Sequence, residues 1–201
     1  MPNWASNHIT VRGTNQAEIA AIAEAMREGK FLDHVIPIPA ILEDTVAPVQ
    51  QGEEEIAEAR RKACGYTDWY SFCTNRWGTK WEVDCQDVEV EDDGLTVSCS
   101  FDSAWSPPIG VLEELTARDL SVTCYYYEPG MCFVGKYEDG CDDYYELGDL
   151  DSSTVIAAIG NELDDMFGIS ESMAEYEAEQ EEDLTRWIRE GAEERKELIA
   201  Q

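Results

Sequence analysis

Val88-Glu89-Val90-Glu91-Asp92-Asp93-Gly94-Leu95-Thr96-Val97-Ser98-Cys99-Ser100-Phe101-Asp102 reads as two strands joined by a tight turn. Asp-Gly between alternating apolar residues is a strong short-range hairpin signal, because both central residues of such a turn take positive φ. In the second strand Leu95, Val97, Cys99 and Phe101 share one face. Upstream, Glu82-Val83-Asp84-Cys85 begins the first strand, but Val83 and Cys85 differ in parity from Val88 and Val90. That mismatch predicts a β-bulge near Gln86-Asp87. The face opposite the apolar one carries Asp84, Asp87, Glu89 and Glu91, so the open side of the sheet is expected to be acidic.

Outward from the hairpin, Asn7-His8-Ile9-Thr10-Val11-Arg12 alternates and stops at Gly13, which predicts a first strand. Thr14 or Asn15 caps a following helix whose stripe is Ile19, Ile22, Ala23 and Met26, with Gly29 as its end. Phe31 to Pro48, with three prolines, reads as loop, and Glu53 to Lys62 as a short exposed helix. Beyond the hairpin, Pro107-Pro108 opens a helix over Ile109 to Leu115, and Ser121 to Tyr127 returns as a strand. Cys132 to Tyr137 is a further strand, and Tyr144-Tyr145 begins another. The order β-α-β-β-α-β with extra strands predicts an α+β, ferredoxin-like antiparallel sheet over residues 1–150, with a loop and helix insertion at about 31–76. Residues 151–201 read as an acidic helical C-terminal extension. In it, Val155, Ile156, Ile159, Leu163, Met166 and Phe167 form one stripe ended by Gly168, and Ser172-x-x-Glu175 caps a long last helix. Tyr176, Leu184, Trp187, Ile188, Leu198 and Ile199 give that helix a narrow apolar stripe for packing on the domain or on another helix, including a second copy.

Three blocks carry a resemblance: Pro2-Asn3-Trp4-Ala5-Ser6-Asn7, Trp77-Gly78-Thr79-Lys80-Trp81 and Phe101-Asp102-Ser103-Ala104-Trp105-Ser106-Pro107-Pro108. In this order they resemble the YubB ferredoxin-like domain proteins of phages and plasmids, over roughly residues 1–150. The resemblance implies the ferredoxin-like fold and a mobile-element origin, and no activity. Cys is expected where this chain has Ala5, so no thiol role is implied at that position.

Signatures of catalysis are sparse. No G-x-G-x-x-G or P-loop follows a strand, and neither G-x-S-x-G nor H-E-x-x-H occurs. His8 has no sequence-adjacent nucleophile. Trp77, Lys80, Trp81, Asp102 and Trp105 are the candidates for a small-ligand pocket. The competing reading puts the three Trp in one end of the core, with Asp102 capping the Ser-Pro-Pro turn. Seven cysteines without a C-x-x-C pair, beside two histidines, predict buried thiols rather than a disulfide framework or a zinc site. Cys85, Cys99 and Cys124 fall on apolar strand positions. Glu138-Asp139-Gly140-Cys141-Asp142-Asp143 lacks the spacing and bidentate Glu of a calcium loop, so no metal and no cofactor is expected.

Charge is the dominant property: 44 acidic against 14 basic residues, a formal net of -30. Residues 1–80 carry 8 bases and 11 acids, 81–150 carry 2 and 18, and 151–201 carry 4 and 15. Clusters lie at Glu89, Glu91, Asp92 and Asp93; at Glu138, Asp139, Asp142, Asp143, Glu146 and Asp149; and at Glu175, Glu179, Glu181, Glu182 and Asp183. Such a surface repels phosphate and disfavours direct nucleic-acid binding. The reverse reading is that it imitates nucleic acid: duplex DNA carries one charge per about 1.7 Å, so thirty charges match about 50 Å of duplex, while a chain of this size is about 40 Å across. The expected partner is a basic nucleic-acid-binding protein of the host, as for a DNA-mimic inhibitor of a defence complex (anti-CRISPR or anti-restriction). The alternatives are an accessory or scaffolding protein with a solvated acidic surface, and a ligand binder or enzyme using the Trp-lined end. With no run of 18 apolar residues and no basic-apolar leader, the chain is expected in the cytoplasm and off membranes.

Overall fold

A computed structural model describes residues 3–199, with side chains through Glu190; Pro2 and the side chains of Leu198 and Ile199 lie outside the described residues. The chain divides into two compact units, Met1–Glu146 and Leu147–Gln201.

The first unit is a six-stranded antiparallel sheet of β1 (Trp4–Arg12), β2 (Gln86–Val90), β3 (Thr96–Ala104), β4 (Ser121–Glu128), β5 (Phe133–Glu138) and β6 (Cys141–Glu146), in the spatial order β2-β3-β1-β4-β5-β6. The first four strands, with α1 (Gln16–Arg27) and α5 (Ile109–Ala117) as crossovers, are the ferredoxin-like split βαβ arrangement. The strands β5 and β6 extend it as a meander beyond β4. Period-two burial along β1 shows how the sheet is dressed: Ala5, Asn7, Ile9 and Val11 are buried, and Trp4, Ser6, His8, Thr10 and Arg12 are exposed. On the buried side α1 packs against β2 and β3, and α5 against β4.

The expected hairpin is β2-β3. Its register shifts between Gln86 and Glu89, where Asp87 takes φ 52°, so the bulge sits where the parity change of the valines put it. Residues 82–85 are not strand, because Glu82 is engaged elsewhere. Its Oε1 accepts from Leu32 N at 2.8 Å and Val83 N at 3.1 Å, and its Oε2 from Asp33 N at 2.8 Å. Those amides open α2 (Phe31–Val35), in the stretch expected to be loop. Five residues are too short for a readable period, and the carboxylate that satisfies this helix start comes from fifty residues away. Phe31, Leu32, Val35 and Leu42 are buried in the main core, together with Phe72, Cys73 and Trp77 of α4 (Trp69–Arg76) and its C-cap. The region expected as an insertion, with α3 (Glu54–Cys64) between these helices, thus supplies core.

In the second unit Gly160, at φ 81°, splits the expected single helix into α6 (Val155–Ile159) and α7 (Asn161–Phe167). Gly168 then ends α7 in the left-handed conformation and α8 (Ile169–Ile199) starts at once. Ser172 therefore lies inside α8, with its N–H on Gly168 O at 3.0 Å, and is not an N-cap. Ser170, with N at 2.7 Å and Oγ at 2.8 Å from the Asp164 carboxylate, makes the polar contact at this junction.

Candidate binding site at the aromatic end of the sheet

The three blocks singled out in the sequence meet at one end of the first unit. Trp4 pairs with Ala104 across β1 and β3, and Thr79 Oγ1 donates to Ala104 O at 2.9 Å. Trp105 N donates to Asn3 O at 2.9 Å, Ser106 Oγ to Gly78 O, and Ser103 Oγ to Ser106 O at 2.8 Å. Buried Asn7 donates to Ser103 Oγ at 2.8 Å and to Ala5 O at 2.7 Å. Two glycines make the approach possible. A Cβ on Gly110 would sit 2.1 Å from Arg76 O, and Gly78, at φ 90°, would place one 3.1 Å from Ile109 N.

Within this knot the tryptophans have different fates. Trp77, 2 % exposed, is core, and its Nε1–H donates to Ile36 O at 2.8 Å; it cannot line a ligand pocket. Trp81 and Trp105, by contrast, are not core, at 38 % and 46 % exposed, and Trp4, which is not among the pocket candidates the sequence offers, is 48 % exposed. Trp4 and Trp81 lie 6.0 Å apart at 33°, and Lys80 Nζ sits 4.2 Å from the Trp81 ring centre and 5.6 Å from that of Tyr70. Trp81 is therefore braced by a ring and a cation. Trp105 takes φ 72°, a conformation that costs a bulky residue on the order of 1–3 kcal/mol. The backbone bonds of the knot hold it there and leave its indole half in solvent. Asp102 does not cap the Ser-Pro-Pro turn: its Oδ1 accepts from Ser6 Oγ at 3.0 Å, next to the aromatic end.

The remaining chemistry near this end is modest. Ser100 Oγ lies 3.1 Å from the ring nitrogens of His8, a cross-strand pair that sequence adjacency does not reveal. It faces outward with exposed His8. A cavity of about 300 Å³ lined by Asn75, Arg76, Gly110 and Glu113 lies beside α4 and α5, and none of the exposed indoles lines it. Of the cysteines, Cys73, Cys99 and Cys124 are buried, Cys64 and Cys85 half-buried, and Cys132 and Cys141 exposed. Burial, reinforced by the Glu82 and Asp33 charges, pushes the Cys73 thiol up to about 12, and burial likewise raises Cys124. These thiols stay protonated and act as small apolar groups.

The sheet's acidic candidates flank the middle of its open face rather than cover it. Glu89 faces Ser98 on the edge pair β2-β3, and Asp84, Asp87 and Glu91 flank that edge; β1, in the middle, offers Ser6, His8 and Thr10. The register also puts Asp102 of β3, Glu138 of β5 and Asp143 of β6 on this face, so its acids flank the middle of β1 from both sides. Several carboxylates have structural duties. Asp139 accepts from Val122 N at 2.7 Å, Asp93 from Leu95 N at 2.8 Å, and Asp142 from Tyr126 Oη at 2.6 Å. Burial and the Asp142 carboxylate together raise the Tyr126 phenol. Asp84 accepts from Gln86 at 3.0 Å, Glu138 lies 3.5 Å from Lys136, and Asp183 pairs with Arg186. Asp92, Asp143, Glu146, Asp149, Glu175, Glu179, Glu181 and Glu182 are exposed.

A split βαβ sheet extended by a meander, with an aromatic end built from three distant blocks, defines a ferredoxin-like α+β protein. Residues 76–186, more than half of the chain, match the family described as the ferredoxin-like domain in Api92-like protein, and the chain belongs to that family. The match runs past residue 150 into α8 and begins after β1 and α1, so it differs in extent from the resemblance over residues 1–150. The crystal structure of protein api92 from Yersinia pseudotuberculosis aligns at 11 % identity over 75 % of this chain and 99 % of that one, with a TM-score of 0.37. No curated protein matches this chain. Neither the family description nor the name of that protein states an enzymatic activity. No helix among the described residues is long and apolar enough to cross a membrane.

Proposed function

We propose that this chain is a non-enzymatic binding protein of a mobile genetic element that presents carboxylates to the basic nucleic-acid-binding surface of a host protein, as a DNA-mimic inhibitor of a defence complex. The observation that carries this reading is the run Glu175, Glu177, Glu179, Glu181, Glu182 and Asp183 on α8. Asp183 is paired with Arg186 and Glu177 accepts from Ser152, so Glu175, Glu179, Glu181 and Glu182 face a partner: four carboxylates over about 12 Å of helix, one charge per ~3 Å against ~1.7 Å for duplex DNA. Mobile-element origin and the narrower kinship with YubB proteins rest on the three Trp-containing blocks. Binding would draw on counterion release and long-range steering, and would weaken steeply with salt.

The test is affinity capture from nuclease-treated host lysate, followed by a DNA-competition assay on any nucleic-acid-binding protein recovered. Charge reversal at Asp143 and Asp149 should weaken capture and flatten its salt dependence. Asp142 is left unchanged, because its carboxylate holds the Tyr126 hydroxyl. A captured protein that binds DNA equally well with this chain present would sink the reading in favour of a solvated acidic surface.

A second reading is favoured by Trp105: an indole kept half exposed at positive φ suits contact with a ligand or partner at the aromatic end.

A further inference from the structure

On α8 the apolar residues Tyr176, Leu184, Trp187 and Ile188 recur at helical spacing and fall within about 120° of the circumference at 3.6 residues per turn. All four are more than half exposed, and Trp187 reaches 72 %. Between Tyr176 and Leu184 the same sector holds Gln180 and Glu177, whose carboxylate accepts from Ser152 N at 2.9 Å and Oγ at 2.7 Å, while Leu184, Trp187 and Ile188 adjoin one another; a solitary exposed leucine is ordinary, but such a grouping of large apolar side chains marks an interaction surface. On the same helical projection Glu181 borders the row on one side and Asp183 on the other.

From residue 169 to 190 the helix carries eight acids against two bases, Arg186 and Arg189, and Asp183 already pairs with Arg186. A second copy laid along the row would bring a second set of eight acids against the first, and an anionic lipid surface would be repelled for the same reason. A helix with an apolar seam flanked by Lys or Arg would bury the row and neutralise its borders together, which is the usual logic of seam and flanking charges in paired helices.

We infer that the Tyr176–Ile188 row of α8 is the docking site for a basic amphipathic helix of the partner protein. This rests on the proposed function and deepens it by naming the partner element: the carboxylates attract the basic surface, and the apolar row selects a helix within it.

The full chain is titrated into a labelled 21-residue Leu/Lys peptide patterned as an amphipathic helix, with a scrambled peptide of the same composition as control, and binding is read by anisotropy. Tighter binding of the patterned peptide by at least tenfold is expected. The double variant Leu184→Ser/Trp187→Ser should erase that preference while its helical circular dichroism is retained. Equal binding of both peptides would reduce the surface to plain electrostatics and overturn the inference. So would a concentration-dependent dimer in sedimentation that the double variant abolishes, since a second copy would then cover the row. Binding of the wild type but not the double variant to zwitterionic lipid vesicles, without a preference between peptides, would overturn it in favour of a lipid surface. If Asp143/Asp149 reversal still weakens capture of a DNA-binding protein while the peptide preference fails, the mimic reading stands and the docking site falls. The converse result separates them the other way.

Discussion

Indoles reach solvent in two places that differ in how they are held. At the aromatic end, Trp4 and Trp105 are held by hydrogen bonds between residues tens of positions apart, Trp81 by the Trp4 ring and the Lys80 cation, and Trp105 takes an unfavourable backbone conformation. On α8, Trp187 stands on a helix whose local sequence alone specifies its direction, amid carboxylates. The first region is preorganised by tertiary structure. The second is organised by periodicity and charge. Mutations should therefore separate them: stability should respond at the aromatic end and its supports, and binding with little loss of stability should respond on α8.

The largest effect is expected at the support beneath the exposed indoles. Trp77→Ala removes a buried indole from the main core and leaves Ile36 O without its donor. A loss of about 3–5 kcal/mol is expected in urea unfolding of the first unit. A loss below about 1 kcal/mol would mean that the knot does not depend on this anchor, and the contrast between the regions would weaken.

Glu82→Ala comes next. It strips the acceptor from the amides of Leu32, Asp33 and Val83, and about 2 kcal/mol should be lost. Its pH dependence has a defined sign. Burial raises the Glu82 pKa above 4.5, against the lowering effect of its backbone donors. The folded state thus holds this proton more tightly than the unfolded state does. The associated stability is complete below about pH 4.5 and is lost as pH rises through the raised value. Between pH 7 and 4.5 the wild type should gain stability relative to Glu82→Gln; parallel pH profiles would show that Glu82 titrates normally.

How much of this was readable beforehand depended on range. The β2-β3 hairpin, its bulge and the helix α1 with its cap at Thr14 or Asn15 follow from parity, turn chemistry and capping, all of which act over a few residues, and the structure selects Asn15 of the two. Asn15 Oδ1 accepts from Ala17 N at 3.0 Å, as the pattern before the first stripe predicts. The helix α2 was invisible because its start is satisfied by Glu82 from across the fold. The Asp68/Ser71 capping box of α4 was a usable local cue that the density of aromatics obscured. For the aromatic end, the three blocks were legible as blocks. Trp4 belongs to the first of them, but nothing local says that it stacks on Trp81. The acidity was legible in amount, whereas its distribution on both sides of β1 across the open face depends on strand order.

A smaller effect, of opposite sign, is expected at Trp105. Asn tolerates positive φ better than a bulky aromatic. Trp105→Asn should relieve strain while losing the contacts of a half-exposed ring, leaving stability unchanged or raised by up to about 1 kcal/mol. Any ligand or partner taken up at the aromatic end should be lost with it. Destabilisation by more than about 2 kcal/mol would show that the indole is a structural plug, and the second functional reading would go with it.

The smallest change in stability is expected on α8. Trp187→Ser removes a side chain that is 72 % exposed, and exposed positions outside special features usually shift stability by no more than about 0.5 kcal/mol. The same substitution should cost the patterned basic peptide a large part of its affinity, because aromatic anchors dominate binding energy where they become buried only in the complex. Thermal unfolding and anisotropy on one preparation give both numbers. If stability falls with affinity, Trp187 contributes to the folded unit itself. The contrast between a preorganised aromatic end and a charge-directed helix would then dissolve, because both sets of exposed indoles would be held by the fold.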